Sequence, residues 1–197
     1  MNRTPQEALQ HLKDGNKRFT DGKRIPRDFT QQVVTTAQGQ FPYAAIVSCI
    51  DSRVPAEIVF DQGIGDIFSA RLAGNIIEQD MLGSLEFACK LAGSKLIVVM
   101  GHSSCGAIQG ACDDVQMGNL TALLDKIKPV VDSVHTKGER NSANDEFVEE
   151  VAEKNVLHGI KVIKEKSPIL KEMLDKGEIL IIGAMYNIKT GKVTFYE

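Results

Sequence analysis

Lys95-Leu-Ile-Val-Val-Met100, running straight into Gly101-His102-Ser103-Ser104-Cys105-Gly106, is the stretch from which the fold is read. A short, unbroken apolar run rich in β-branched residues is the pattern of a strand buried on both faces. Three more runs share it: Tyr43-Ala-Ala-Ile-Val-Ser-Cys49, Asp66 to Ala70, and Glu178-Ile-Leu-Ile-Ile-Gly183. Between them the spacing predicts helices over Met81 to Leu91, Leu120 to Val134, Asn144 to Ile163 and Ile169 to Leu174. Strands alternating with helices specify an α/β fold, a mostly parallel central β-sheet flanked by helices.

The two ends add to this core. Thr4-Pro5-Gln6-Glu7 carries a cap, a first-turn proline and a Glu three residues after the cap, and so starts a helix. Ala8, Leu9, Leu12 and Phe19 give that helix one apolar stripe. Residues 20–40, polar and broken by Gly22, Pro26 and Gly39, read as an extended arm or loop, with a partner subunit as its landing place. Ala184 to Tyr196 alternate about Lys189-Thr190-Gly191 as a C-terminal hairpin. The expected organisation is a single domain over 1–197, with 1–40 as N-terminal helix and arm and 41–197 as the α/β core.

A chain of 197 residues, 43% apolar and 25% charged, has room for a real core. Its net charge of −3 and pI of about 5.9 supply no general pull toward nucleic acid or an anionic membrane. No run approaches the ~20 apolar residues of a membrane span. The first residues lack the apolar centre of a secretory signal, so a cytoplasmic location is expected. Cys49, Cys89, Cys105 and Cys112 are then expected as thiols or metal ligands, not as a disulfide framework.

In parallel α/β sheets, ligands gather at the carboxyl ends of strands. Two chemically loaded segments follow such ends: Cys49-Ile-Asp51-Ser-Arg53, and His102-Ser-Ser-Cys105. Taken singly, a His-x-x-Cys reads first as coincidence and a buried Cys as a small apolar filler. Together they offer two thiolates and an imidazole, a soft set that suits zinc over magnesium or calcium, and Asp51 can add a carboxylate. The spacing of Asp51 and Arg53 allows an ion pair. The remaining candidates read as packing or surface: Cys89 in a helix core, Cys112 a spare thiol, His11 and His135 solvated, His158 on a polar helix.

Cys49-Ile-Asp-Ser-Arg-Val54, Gly101-His-Ser-Ser-Cys-Gly106 and Ala70-Arg-Leu-Ala-Gly-Asn75 resemble the signature segments of the β-class carbonic anhydrases. The resemblance extends from the N-terminal helix to Ala184-Met-Tyr-Asn187. It implies Zn2+ on Cys49, His102 and Cys105, a carbon dioxide/bicarbonate substrate pair, and a homodimer or homotetramer. It implies reversible hydration by zinc-bound hydroxide, since zinc lowers the pKa of its water from roughly 15.7 to about 7. It implies catalytic roles for Asp51 and Arg53: the paired dyad keeps Asp51 off the metal, and the broken one lets Asp51 ligate it in a closed state. Gln40 matches a substrate hydrogen-bond donor, against its reading as a polar loop residue before Pro42. The Gly106 N–H is a second candidate contact, against a Gly that simply makes the turn; Val54, Phe68 and Tyr186 are candidates for apolar lining, or for core packing. A regulatory bicarbonate site known in one subgroup uses a Trp where this chain has Ile46; Arg71 and Tyr186 match its other two residues, and the chain has no Trp. The same metal set also serves hydrolysis of another small linear molecule such as carbon disulfide, or a catalytically silent zinc-binding regulatory protein. A thiol-redox role lacks the Cys-x-x-Cys arrangement.

Overall fold

The computed structural model describes residues 3–196. It opens with α1 (Pro5–Thr20), begun by a full capping box: Thr4 Oγ1 accepts from the Glu7 N–H at 3.2 Å, and Glu7 Oε2 accepts from the Thr4 N–H at 2.7 Å. Gly15 marks where α1 touches the body, since a Cβ there would lie 1.9 Å from the Phe60 carbonyl oxygen. The adjoining Asn16 is buried and fully used. Its Nδ2 donates to the carbonyls of Val59 (3.1 Å) and Gly191 (2.9 Å), and its Oδ1 accepts from the Val193 N–H at 2.9 Å. His11, expected in solvent, packs edge-on against Tyr43 instead, with ring centroids 5.2 Å apart.

The arm differs from the extended segment expected. It contains a helix, α2 (Phe29–Thr36), capped by Asp28, whose Oδ1 accepts from the Gln31 N–H at 2.9 Å. Asp28-x-x-Gln31 is a helix-start pattern that the polar composition obscured. The segment before it is fastened to its own body: buried Asp61 accepts from Arg18 Nε at 2.6 Å, from the Ile25 N–H at 3.2 Å, and from Arg27. By contrast α2 buries none of its residues, and Phe41 beyond it is 87% exposed.

The core follows as β1 (Ala44–Ser48), α3 (Ala56–Val59), β2 (Ile67–Arg71), α4 (Gln79–Glu86, extended by a wider turn to Leu91) and β3 (Leu96–His102). After it come α5 (Gly106–Cys112), α6 (Gly118–Leu124), α7 (Lys128–Ser133), α8 (Asp145–Lys166), α9 (Pro168–Asp175), β4 (Leu180–Tyr186) and β5 (Val193–Tyr196). The helix expected over Leu120 to Val134 is thus two. Pro129 sits in the first turn of α7, where its missing N–H is harmless, whereas in one continuous helix that N–H would be needed by the Asp125 carbonyl. The sheet order is β2-β1-β3-β4-β5, with the first four strands parallel and β5 antiparallel to β4. The C-terminal hairpin therefore borrows the fourth parallel strand as its first arm, pairing Gly183 with Tyr196 and Tyr186 with Val193.

Period-2 alternation splits the strands between two apolar layers. Ala45, Val47, Ile97, Val99 and Ile181 face the larger one, shared with α5, α7 and α8. Ala44, Ile46, Leu96, Val98 and Ile182 face the other, closed by α1 and α3. Among the described residues no helix is long and apolar enough to cross a membrane.

Asn16→Ala removes all three clamp bonds at the seam of α1, α3 and the β5 entry. The expected loss is about 2–4 kcal/mol, which lowers the thermal midpoint by roughly 5–10 °C. Calorimetry of the variant checks this, and an unchanged midpoint would show that the clamp is energetically idle.

Candidate metal centre

Between β1 and β3 the sheet changes direction of travel: β1 leads to β2 on one side, and β3 and β4 extend the other. Such a switch point opens a crevice at the carboxyl ends of the strands. Cys49 is the first residue after β1, His102 the last of β3, and Cys105 the residue before α5. The turn between the latter two passes through Ser104 at φ +52°, and Glu149 on α8 steadies it by accepting from the Ser104 N–H at 2.8 Å.

All three side chains are buried: Cys49 is 4% exposed, Cys105 1% and His102 0%. Their ligand atoms lie within 4.8 Å of one another, and the two sulfurs are 3.9 Å apart. His102 Nδ1 lies 3.0 Å from the Ser103 carbonyl oxygen. A carbonyl only accepts, so Nδ1 carries the proton and Nε2 presents a lone pair. That Nε2 is buried with no hydrogen-bond partner. A buried lone pair beside two sulfurs is costly unless a cation takes it. The Cys105 thiol donates toward Cys49, and the Gly74 N–H at 3.4 Å adds to it; together they hold the Cys49 thiol well below its usual range. That bond and burial push Cys105 upward.

At the rim, Arg53 grips Asp51 with both forks, Nε to Oδ1 at 2.9 Å and Nη2 to Oδ2 at 2.7 Å, and its backbone N–H adds a bond to Oδ1 at 2.9 Å. These hydrogen bonds hold the Asp51 carboxyl at about 2. Asp51 Oδ2 stands 3.9 Å from His102 Nε2, close to the cluster but turned to the guanidinium. Arg71, exposed at the end of β2, donates from Nε to the Cys49 carbonyl at 3.0 Å and also bonds the Asp51 carbonyl, bracing the loop between them.

The structure thus gathers Cys49, His102, Cys105, Asp51 and Arg53, with Gly106 adjoining at the start of α5. A Cβ at Gly106 would meet open space. Val54 and Tyr186 adjoin this group through the backbone: the Val54 N–H donates to the Asp51 carbonyl at 3.0 Å, and Tyr186 pairs with His102 across the sheet. Both are buried in the layer beneath α1 and α3, which suits packing. Phe68 lines a groove of about 870 Å³ with Leu82 and Phe87, its ring 6.1 Å from that of Phe87. Gln40 is exposed between α2 and β1 and makes no bond to the cluster. Sequence reading assigned no role to Gly74 and Ser103, which act through backbone groups, or to Glu149, whose carboxylate accepts from a backbone N–H. Only the positive φ that a glycine permits hinted at the first.

The family model described as Carbonic anhydrase matches residues 44–193. Carbonic anhydrase 2 of Mycobacterium tuberculosis is 36% identical over 199 residues, spanning 100% of this chain and 95% of that relative. The carbonic anhydrase of Mycolicibacterium smegmatis is 33% identical, spanning 98% and 93%. Among solved structures, a tetrameric β-carbonic anhydrase of Sordaria macrospora superposes with a TM-score of 0.71 at 26% identity, covering 84% of this chain and 89% of that one. The β-carbonic anhydrase CafA of Aspergillus fumigatus gives 0.72 at 26% identity, covering 98% and 90%. With the same α/β sheet and a Cys-His-Cys cluster at its switch point, the chain belongs to the β-class carbonic anhydrase family of enzymes.

Proposed function

We propose that this enzyme interconverts carbon dioxide and bicarbonate at a zinc ion held by Cys49, His102 and Cys105. The observation that carries this is the unpartnered His102 Nε2, buried within 4.8 Å of both sulfurs. Two thiolates and one imidazole are three protein ligands, the number a catalytic zinc site uses when one position stays free for exchange. A bound zinc supplies Lewis acidity that makes water nucleophilic near neutral pH.

The chain's own residues do the rest. Ser103 fixes the tautomer and ring direction of His102 through its carbonyl. Asp51 Oδ2, 3.9 Å from His102 Nε2, would accept a hydrogen bond from a nucleophile bound at the cluster, and the grip of Arg53 would keep that carboxylate from turning inward. Opening of the pair closes the site, with Asp51 taking the exchangeable position. The folded-state value of Asp51, about 2, lies below the ordinary 3.9. The pair's contribution is therefore present above ~4 and is lost as pH falls toward about 2. Around neutrality Asp51 is always ionised, so a gate that works there is a competition for position and not a titration of Asp51.

The exposed Gly106, next to Cys105 at the start of α5, offers its N–H to steady a bicarbonate oxygen. Gln40 is exposed, Phe68 lines an open groove, and α2, Phe41 and Ile50 leave apolar surface uncovered. A homodimer, or a tetramer built from it, covers that surface and brings Gln40 and Phe68 toward a neighbouring copy's site. The working location is the cytoplasm.

Purified protein should carry about one zinc per chain and hydrate carbon dioxide in stopped flow; Cys105→Ala should lose both. Zinc retained at full stoichiometry in that variant would remove Cys105 from the ligand set. Arg53→Ala should lower kcat/KM at pH 7 by about 10–100-fold with zinc retained, recovering in part at higher pH. Arg53→Lys should rescue little, since an ammonium lacks the two-pronged grip. Wild-type rates in Arg53→Ala at pH 7 would discard the gate.

A further inference from the structure

The larger apolar layer contains one buried amide side chain contributed by α8. Asn155 is 4% exposed, among buried Val151, Ala152, Val156 and Gly159 of the same helix. An amide in such surroundings is tolerated when its hydrogen bonds are met. Its Nδ2 donates to the Gly74 carbonyl at 2.8 Å. Gly74 in turn donates its N–H to Cys49 Sγ at 3.4 Å. It sits at φ +67°, and a Cβ there would lie 2.8 Å from Ile127 Cδ1, so a side chain is excluded on two grounds.

The Gly74 carbonyl and N–H belong to successive peptide groups, linked only by the torsions of a residue without a Cβ. Those torsions are the softest in the loop. Such a residue needs an outside tie, and the bond from Asn155 to the carbonyl restricts the torsions that set the direction of the N–H. We propose that Asn155 is a positioning residue for the metal centre: by holding the Gly74 carbonyl it keeps the Gly74 N–H aimed at Cys49 Sγ. The proposal rests on Cys49 being a metal ligand. An N–H that bonds a thiolate draws electron density from it, so the sulfur gives less to the metal and the metal remains a stronger Lewis acid. Asn155 thus tunes the centre from α8 without touching metal or substrate.

The test uses cobalt(II)-loaded full-length protein, read by the thiolate-to-cobalt charge-transfer band and by competition with a chelator. Asn155→Ala and Asn155→Asp both remove the donor, the second with almost no change of shape. Both should move the band to lower energy, since the unbonded sulfur donates more, and should weaken metal binding about tenfold because Cys49 is no longer held in place for the metal. Asn16→Ala, which loosens the opposite layer, should leave band and affinity unchanged. Folded Asn155 variants with the wild-type band and affinity would overturn the proposal, as would an equal shift in Asn16→Ala. A second measurement needs no variant. In wild-type protein loaded with NMR-active cadmium, the Gly74 amide proton should couple to the metal through Cys49 Sγ, and absence of that coupling overturns the proposal even if both variants fail to fold. A wild-type protein with no thiolate-to-cobalt band at all would instead refute Cys49 as a ligand.

Discussion

Three buried soft donors held within 4.8 Å of one another are the constraint around which this molecule is arranged. Left to themselves they conflict. The two sulfurs, 3.9 Å apart, share one proton comfortably but cannot both ionise, and the imidazole lone pair faces them with nothing to bind. A soft divalent cation resolves all three problems together. The conflict is imposed by strand register: Ser48 pairs with Met100, so β1 and β3 end at nearly the same level and deliver Cys49 and His102 to one crevice. Residues that a sheet of this order cannot relax away are then set for a metal before any metal arrives.

Around this centre lie successive braces, most of them made through backbone groups. Ser103 orients the imidazole, the Gly74 N–H meets one sulfur, Glu149 holds the turn that carries the other, and Arg71 ties down the loop between Cys49 and Asp51. The Asp51–Arg53 pair is different in kind. It is bidentate and half open to solvent, so it is firm enough to have a preferred state and accessible enough to change it. Braces inside and a solvent-accessible pair at the rim suit the gate proposed above. The arm repeats the division on a larger scale, since Asp61 anchors its root to the body while α2 offers its apolar residues outward.

The sheet was legible because strands buried on both faces leave unbroken apolar runs; Ala44–Ser48 lies within its run, and Leu96–His102 continues its run by two residues. The metal donors were legible because thiolates and imidazoles at strand ends have few other uses there. What stayed hidden has physical reasons. The helix at Phe29–Thr36 rests on a cap and not on an apolar stripe, so composition masked it. The break at Pro129 was visible as a residue, yet the apolar positions on either side continue one pattern. Asn155 and Gly74 are 81 positions apart and meet through a carbonyl, a group every residue possesses, so nothing in the sequence marks the contact. Gln40 and Phe68 rest on resemblance and residue type, since an exposed loop amide and a groove-lining ring carry no spacing signal that ties them to the cluster.

X-ray absorption at the zinc edge of the purified, untreated protein tests the account at its centre. Ligation by Cys49, Cys105 and His102 predicts two sulfur neighbours at about 2.3 Å and a light-atom shell near about 2.0–2.1 Å. A zinc shell of nitrogen and oxygen alone, or a single sulfur, would contradict it and move the metal away from the switch point between β1 and β3.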